Sequence, residues 1–193
     1  MEDFVHLHVH SQYSILDGQA AIKKLVDKAI ADGMKGIAVT DHGNMMGIKE
    51  FYNYVSKVNK GKAPEEMFKP IIGCEVYVTT GSHLERNNRG LFHLILLAEN
   101  LEGYYNLMKI VSLAQLEGFY YKPRVDKDIL RAHSKGLICL SACIAGELPV
   151  FILQDNLDGA RRCLEEHIEI FGKENYFLEI QNHDLDEERK VNR

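Results

Sequence analysis

Apolar runs of strand length alternate with stretches of helical periodicity along this chain, and that alternation limits what it can fold into. Strand-like runs fall at residues 4–10 (FVHLHVH), 36–40 (GIAVT), 70–78 (PIIGCEVYV), 91–98 (LFHLILLA), 136–142 (GLICLSA) and 176–180 (YFLEI). Between most of them apolar residues recur with helical spacing. Ile22, Leu25, Val26, Ala29 and Ile30 do so ahead of Gly33, which stands where a left-handed glycine ends a helix. Ile48, Phe51, Tyr52 and Val55 repeat the pattern before Gly61, and Leu101, Tyr104, Tyr105 and Met108 repeat it again. Leu157, Ala160, Arg161, Leu164, Ile168 and Phe171 follow Asn156, a residue type that caps helix N-termini. Residues 184–193 (DLDEERKVNR) place acids before bases, as a helix dipole prefers. Strands alternating with helices argue for parallel βαβ units, and the absence of a GxGxxG fingerprint points to a barrel-like α/β fold. In such folds the chemistry gathers at the C-terminal ends of the strands.

Composition narrows the function classes. The 193 residues amount to about one domain, 46% apolar and 26% charged, which is ordinary for a globular chain. The apolar stretch LILLA at 94–98 is far short of a membrane span of about 20 residues, and the N-terminus lacks a signal-peptide layout. The expectation is a cytoplasmic protein with no membrane partner. A net charge of −5 leaves no general basic footprint, so any contact with DNA is expected to be local. Cys74, Cys139, Cys143 and Cys163 lie in apolar segments without CxxC spacing, which argues against a disulfide framework or a zinc ribbon.

The chemistry-bearing residues collect where the strands end. Alternation along a strand puts His6, His8 and His10 on one face, about 7 Å between neighbours. Asp17 follows in SILDG, Asp41 and His42 close AVTDHG, Cys143 follows the fifth run and His183 the sixth. Glu75 and His93 sit inside apolar runs. A buried carboxylate is costly unless it is paired or holds a cation, so Glu75 demands a partner. Imidazole, carboxylate and thiolate together suit zinc, manganese or iron, with Glu75 as a candidate bridge between ions. Two such ions lower the pKa of a bridging water and polarise a phosphoryl oxygen, which makes hydrolysis of a phosphate ester the natural reaction. Lys122 and Arg124, beside Tyr120 and Tyr121, are candidates to hold phosphate and stack a base. Taken singly, each residue has a plainer role: His93 a core histidine, Cys143 a small hydrophobe, Asp17 a turn residue, Asp41 an N-cap. His83 and His133 read as surface residues, His167 as helix packing or a late-helix charge, and His183 is left open.

HLHVHSQYSILDG, AVTDHGNMMG, PIIGCEVYV, FHLILLAEN, GFYYKPRVD and ICLSAC, in this order, resemble the N-terminal PHP domain of bacterial DNA polymerase III alpha subunits. That family belongs to the polymerase and histidinol phosphatase superfamily of metal-dependent phosphoesterases. The resemblance covers almost the whole chain and implies an α/β fold, a distorted seven-stranded βα barrel with up to three divalent ions. His8 and His10 match the family's opening HxH pair, and Asp17, His42, Glu75, His93 and Cys143 match the next five ligands. The family pattern implies His8, His10 and Glu75 around one ion, Glu75, His93 and Cys143 around a second, and Asp17 with His42 around a third. Glu75 and Asp17 would then act on substrate through metal. His6 falls outside the ligand set, with a supporting role or a hydrogen bond at the barrel floor, and Asp41 and His183 are further supporting candidates.

The family's closing DxH pair on its last strand has no counterpart after residue 180. Residues 1–193 are therefore expected to be a PHP domain truncated before the last strand, within a much longer polymerase chain. The implied function is that of a DNA-directed DNA polymerase (a nucleotidyltransferase that uses Mg) in DNA replication, with a 3′–5′ exonuclease in this domain that proofreads by a metal-bound hydroxide. The implied partners are the rest of the alpha chain, DNA and a separate proofreading exonuclease subunit. Two alternatives stand beside this: a catalytically silent module that supports the polymerase core and docks the proofreading subunit, and a stand-alone phosphatase of the histidinol-phosphate type.

Overall fold

In the computed structural model, which describes residues 4–193, the elements run α1 (Ile22–Ala31), β1 (Gly36–Val39), α2 (Ile48–Val58), a 3-10 turn at Pro64–Glu66, β2 (Lys69–Thr79), β3 (Leu91–Ala98), α3 (Leu101–Leu116), β4 (Arg124–Val125), α4 (Lys127–His133), β5 (Leu137–Leu140), α5 (Glu147–Leu153), α6 (Leu157–Phe171), β6 (Tyr176–Phe177) and α7 (Asp186–Val191). The helices legible from periodicity are present with their stops. Gly33 has φ +79°, and the Asn156 side chain accepts from the Gly159 N–H at 2.9 Å to cap α6. The short helices α4 and α5 carry too few turns to show a periodic signal in the sequence.

The strands form one mixed sheet in the order β1-β2-β3-β5-β6, with β4 beside β2. β1 and β4 are parallel to β2, and β6 is parallel to β5, whereas β3 runs antiparallel to both β2 and β5. The expectation of parallel units thus fails at β3. A parallel return needs a long crossover, and residues 80–90 contain no helix to make one. The reversal serves the site: the start of an antiparallel strand lies on the same rim as the ends of its neighbours. His93, near the start of β3, therefore pairs with Tyr77 near the end of β2.

Two further points bear on the expected truncated barrel. The described residues form a sheet of six strands that is not closed, since no backbone ladder joins β1 to β6 among them. FVHLHVH is an irregular segment that bends at Leu7 and His8 rather than a regular strand. Ala38 N–H donates to His6 O at 2.9 Å and Thr40 N–H to Val9 O at 2.8 Å. Three steps on one chain match two on the other, so strict two-residue alternation is lost across the histidines.

Helices cover one face of the sheet. Cys74, Val76, Val78, Leu94 and Leu96 pack there with Leu107 and Ile110 of α3, Leu130 of α4 and Phe171 of α6. Ile22, Val26, Phe51 and Val55 of α1 and α2 cover Ile37 and Val39 of β1. Each such buried aliphatic or aromatic side chain contributes about 1.5–3 kcal/mol. The opposite face holds a smaller cluster of Ala38, Ile95, Leu97, Leu140 and Ala142. Glu75 alternates with Cys74 and Val76 and pairs with Ile95, which turns it to this second face. On the same face a cleft of about 890 Å³ opens between residues 4–8 and 177–183, floored by Ile71, Leu97, Ile138 and Leu140. No helix among the described residues is long and apolar enough to cross a membrane.

Candidate metal centre

Glu75 is the hub of the site. It is 1% exposed and its carboxylate is ringed by imidazoles. Oε1 lies 2.9 Å from His93 Nδ1 and 3.4 Å from His8 Nε2, and Oε2 lies 3.9 Å from His10 Nε2 and against His42 Nδ1. His8 Nε2 and His10 Nε2 are 3.1 Å apart, and the rings of His10 and His42 stack at 4.0 Å. Asp17 reaches His42 Nε2 at 2.8 Å from the loop before α1. Cys143, after β5, places Sγ 3.8 Å from His93 Nδ1. Candidate ligand atoms converge within 4.8 Å in three groups: His8, His10 and Glu75; His10, Asp17 and His42; His42, Glu75 and His93. Cys143 stands beside the third group through His93 without belonging to it.

The charge pattern fits a cation. Among the described residues the ion pairs of Glu75 are all with histidines. Burial works against the Glu75 carboxylate, but hydrogen bonds from His42, His8 and His93 outweigh it and hold the carboxyl well below the usual range. Burial likewise disfavours a charged His8 and His93, yet the carboxylates beside His8 push it up to about 10, and Cys143 with Glu75 pushes His93 up to about 9. His42 is raised by Glu75 and Asp17 against its burial. His10 goes the other way, lowered by burial and by the neighbouring His42. Glu75 Oε2 and His42 Nδ1 are both buried and face one another with no further hydrogen-bond partner. Two such ligand atoms, in a set of nitrogen and oxygen ligands with sulfur nearby, suit a divalent ion.

A layer of hydrogen bonds orients this set. Asp41 is buried and accepts from Ser11 N–H at 2.6 Å, Ser11 Oγ at 2.7 Å and Ser14 Oγ at 2.7 Å, and Ser14 Oγ lies 3.3 Å from His10 Nδ1. Asp41 thus stands behind His10 and caps no helix. Glu179, just past β6, accepts from His8 Nδ1–H at 2.7 Å, which leaves Nε2 facing Glu75. Sequence reasoning passes over Glu179, although the signal was the one that marked Glu75: a carboxylate inside a strand-like apolar run.

Other candidates lie elsewhere. His6 is exposed against the Phe4 ring at 4.8 Å and gives the centre no support. His183 turns from the centre to Glu188, with Nδ1 2.6 Å from Oε1 at the start of α7. Arg124 is 0% exposed, and its guanidinium donates to the carbonyls of Gly118, Asn88, His83 and Glu85. It pins the 83–88 loop and is not free to hold phosphate. Lys122 is exposed, with Nζ 5.2 Å from the centroid of the Tyr77 ring, which itself stacks on His42 at 5.9 Å. His83 is not a free surface residue, since its Nδ1 lies 2.6 Å from Asp126.

Comparison with known proteins supplies the family. The chain is 48% identical to the DNA polymerase III subunit alpha of Treponema pallidum, over 97% of this chain and 16% of that protein. It is 47% identical to the subunit of the same name from Thermus aquaticus, over 98% of this chain and 15% of that protein. It therefore spans about one-sixth of the length of these curated relatives, in their N-terminal part. Among solved structures, an amidohydrolase from Chromobacterium violaceum aligns over 57% of this chain and 33% of its own, with 22% identity and a TM-score of 0.40. The family model of the PHP domain matches residues 6–183, a span that takes in every residue of the centre. The chain belongs to the PHP domain family.

Proposed function

We propose that this chain is the PHP domain of a bacterial DNA polymerase III alpha chain, working in DNA replication, and that its centre is a divalent-metal phosphodiesterase site that trims single-stranded 3′ ends. The observation that carries this reading is Glu75, a buried carboxylate that pairs only with histidines among the described residues. His8, His10, Asp17, His42, Glu75, His93 and Cys143 would hold Zn, Mn or Fe, while Mg serves the polymerase site of the longer chain. When bound, such ions supply Lewis acidity toward a phosphoryl oxygen and acidify water near neutral pH. The protein's own part is orientation. Glu179 fixes the tautomer of His8, Asp41 and Ser14 steady His10, and Lys122 offers an ammonium to the phosphate beside Tyr77.

The partners in this reading are the rest of the alpha chain, DNA and a proofreading subunit. The relatives are about six times longer, and the cleft between residues 4–8 and 177–183 is the seat we assign to a further strand of the PHP domain. Two measurements test the reading. Ala at His8 or Glu75 in the longer polypeptide should abolish Mn- or Zn-dependent 3′ trimming, and unchanged trimming would sink it. The chain extended through the next strand should hold more metal than the 193-residue chain on elemental analysis, and equal content would contradict the added strand. Absence of metal with retained binding of a proofreading subunit would favour the structural module. A parent reading frame little longer than this chain would favour the small-molecule phosphatase.

A further inference from the structure

The hairpin at Tyr120–Lys122 sits against the metal centre. Pro123 packs over Gly43, where an added Cβ would come within 2.5 Å of its Cγ, and Gln115 Nε2–H donates to Gly43 O at 2.8 Å, so this segment is locked beside His42. Tyr120 N–H donates to Lys122 O at 3.0 Å, which closes a turn with Tyr121 at its tip. Tyr121 has φ +62°, a left-handed conformation that bulky residues rarely adopt, and its side chain is 66% exposed. The turn thus holds a large aromatic outward at a backbone angle that a glycine would accept freely. Two neighbours brace the ring. Tyr120 meets it edge-on at 4.8 Å, and the Arg89 guanidinium lies 4.2 Å from its centroid while donating to its hydroxyl at 2.7 Å. Lys122 adjoins it, with its ammonium over Tyr77 and toward the centre.

An exposed, braced aromatic flanked by two cations, in a chain of net charge −5, is a local match for a base and its phosphates. We infer that Tyr121, backed by Arg89, stacks a base near the 3′ end of single-stranded DNA while Lys122 meets its phosphate, so that this hairpin guides the strand to the metal centre. This rests on the phosphodiesterase reading for its substrate, but its test does not depend on turnover. The probe is a 5′-labelled oligothymidylate whose terminal linkages are phosphorothioates, compared by fluorescence anisotropy with one abasic at its last three positions. Tyr121→Ala should weaken binding of the first about tenfold and of the second less than twofold, and Tyr121→Phe should bind the first within about twofold of wild type. Binding by Tyr121→Ala equal to wild type, equal losses on both probes, or no binding by wild type would overturn the inference. Mn-dependent hydrolysis of bis(p-nitrophenyl) phosphate, which carries no base, separates the two claims. Its absence in wild type defeats the phosphodiesterase reading and leaves the stacking result to decide this one; an unchanged circular dichroism spectrum shows that Tyr121→Ala is folded.

Discussion

Two clusters in this molecule are built from the same residue types, and only one of them fits a metal. Around Glu75, histidines and Cys143 converge on the face of the sheet opposite the main helical layer. On the helical side Glu147, Cys163 and His167 bring ligand atoms within the same 4.8 Å of one another. The difference is a lysine. Lys127 Nζ lies 2.9 Å from Glu147 and 2.6 Å from Glu166, so an internal ammonium already answers the carboxylates. His167 Nδ1–H donates to its own helix at Cys163 O, 2.8 Å away, burial pulls its pKa down, and burial pushes the Cys163 thiol up to about 12. At Glu75, among the described residues, the counter-charge comes from imidazoles, each of which can give up its proton to an ion. A local list of ligand types does not make a metal site; at Glu147 a fixed cation already answers the carboxylates.

The comparison can be broken in four places, from large effects to small. Glu75→Gln should lower Mn-dependent phosphodiester hydrolysis about 10³-fold, since several kcal/mol of charge stabilisation depend on the ions it holds, and steady-state kinetics would show it. Lys127→Met should cost about 2 kcal/mol in urea denaturation, a figure reduced for the partial exposure of the pair. In a Glu75→Gln background, Zn²⁺ should restore part of that loss in Lys127→Met and leave the Lys127 parent unmoved. Glu179→Ala should weaken Mn²⁺ affinity about tenfold in a chelator competition, with the fold intact by circular dichroism. The smallest effect is a pH dependence. His167 takes up a proton less readily folded than unfolded, so its contribution to stability is full above about pH 6.5 and is lost as the pH falls. Between pH 6.5 and 5.5 the loss is at most about 1 kcal/mol, and His167→Gln should show a shallower slope in urea midpoints.

Much of this was legible in the sequence, and the gaps have physical causes. Strand-length runs and helical periodicity located most elements, because both report which side chains face a core. Direction is another matter: whether β3 runs parallel or antiparallel depends on how residues 80–90 travel, and their polar composition is silent on that. Glu75 stood out because a charge in an apolar run needs a reason, and the same argument reached His93. It would also have reached Glu179, whose run is short and ends the sheet. Arg124 misled because a basic residue beside tyrosines looks solvent-facing, whereas three backbone carbonyls of the 83–88 loop and that of Gly118 turn it inward. His6 misled because alternation was extended across a segment that carries one residue too many for its partner.

The central claim is that the Glu75 cluster holds the metal and the Glu147 cluster does not. Elemental analysis of wild type, Glu75→Gln and Cys163→Ser, each equilibrated with Mn²⁺ and stripped of free ion, tests it directly. The account predicts bound metal in wild type, the same content in Cys163→Ser and near none in Glu75→Gln. Metal retained by Glu75→Gln, or lost from Cys163→Ser, would contradict it.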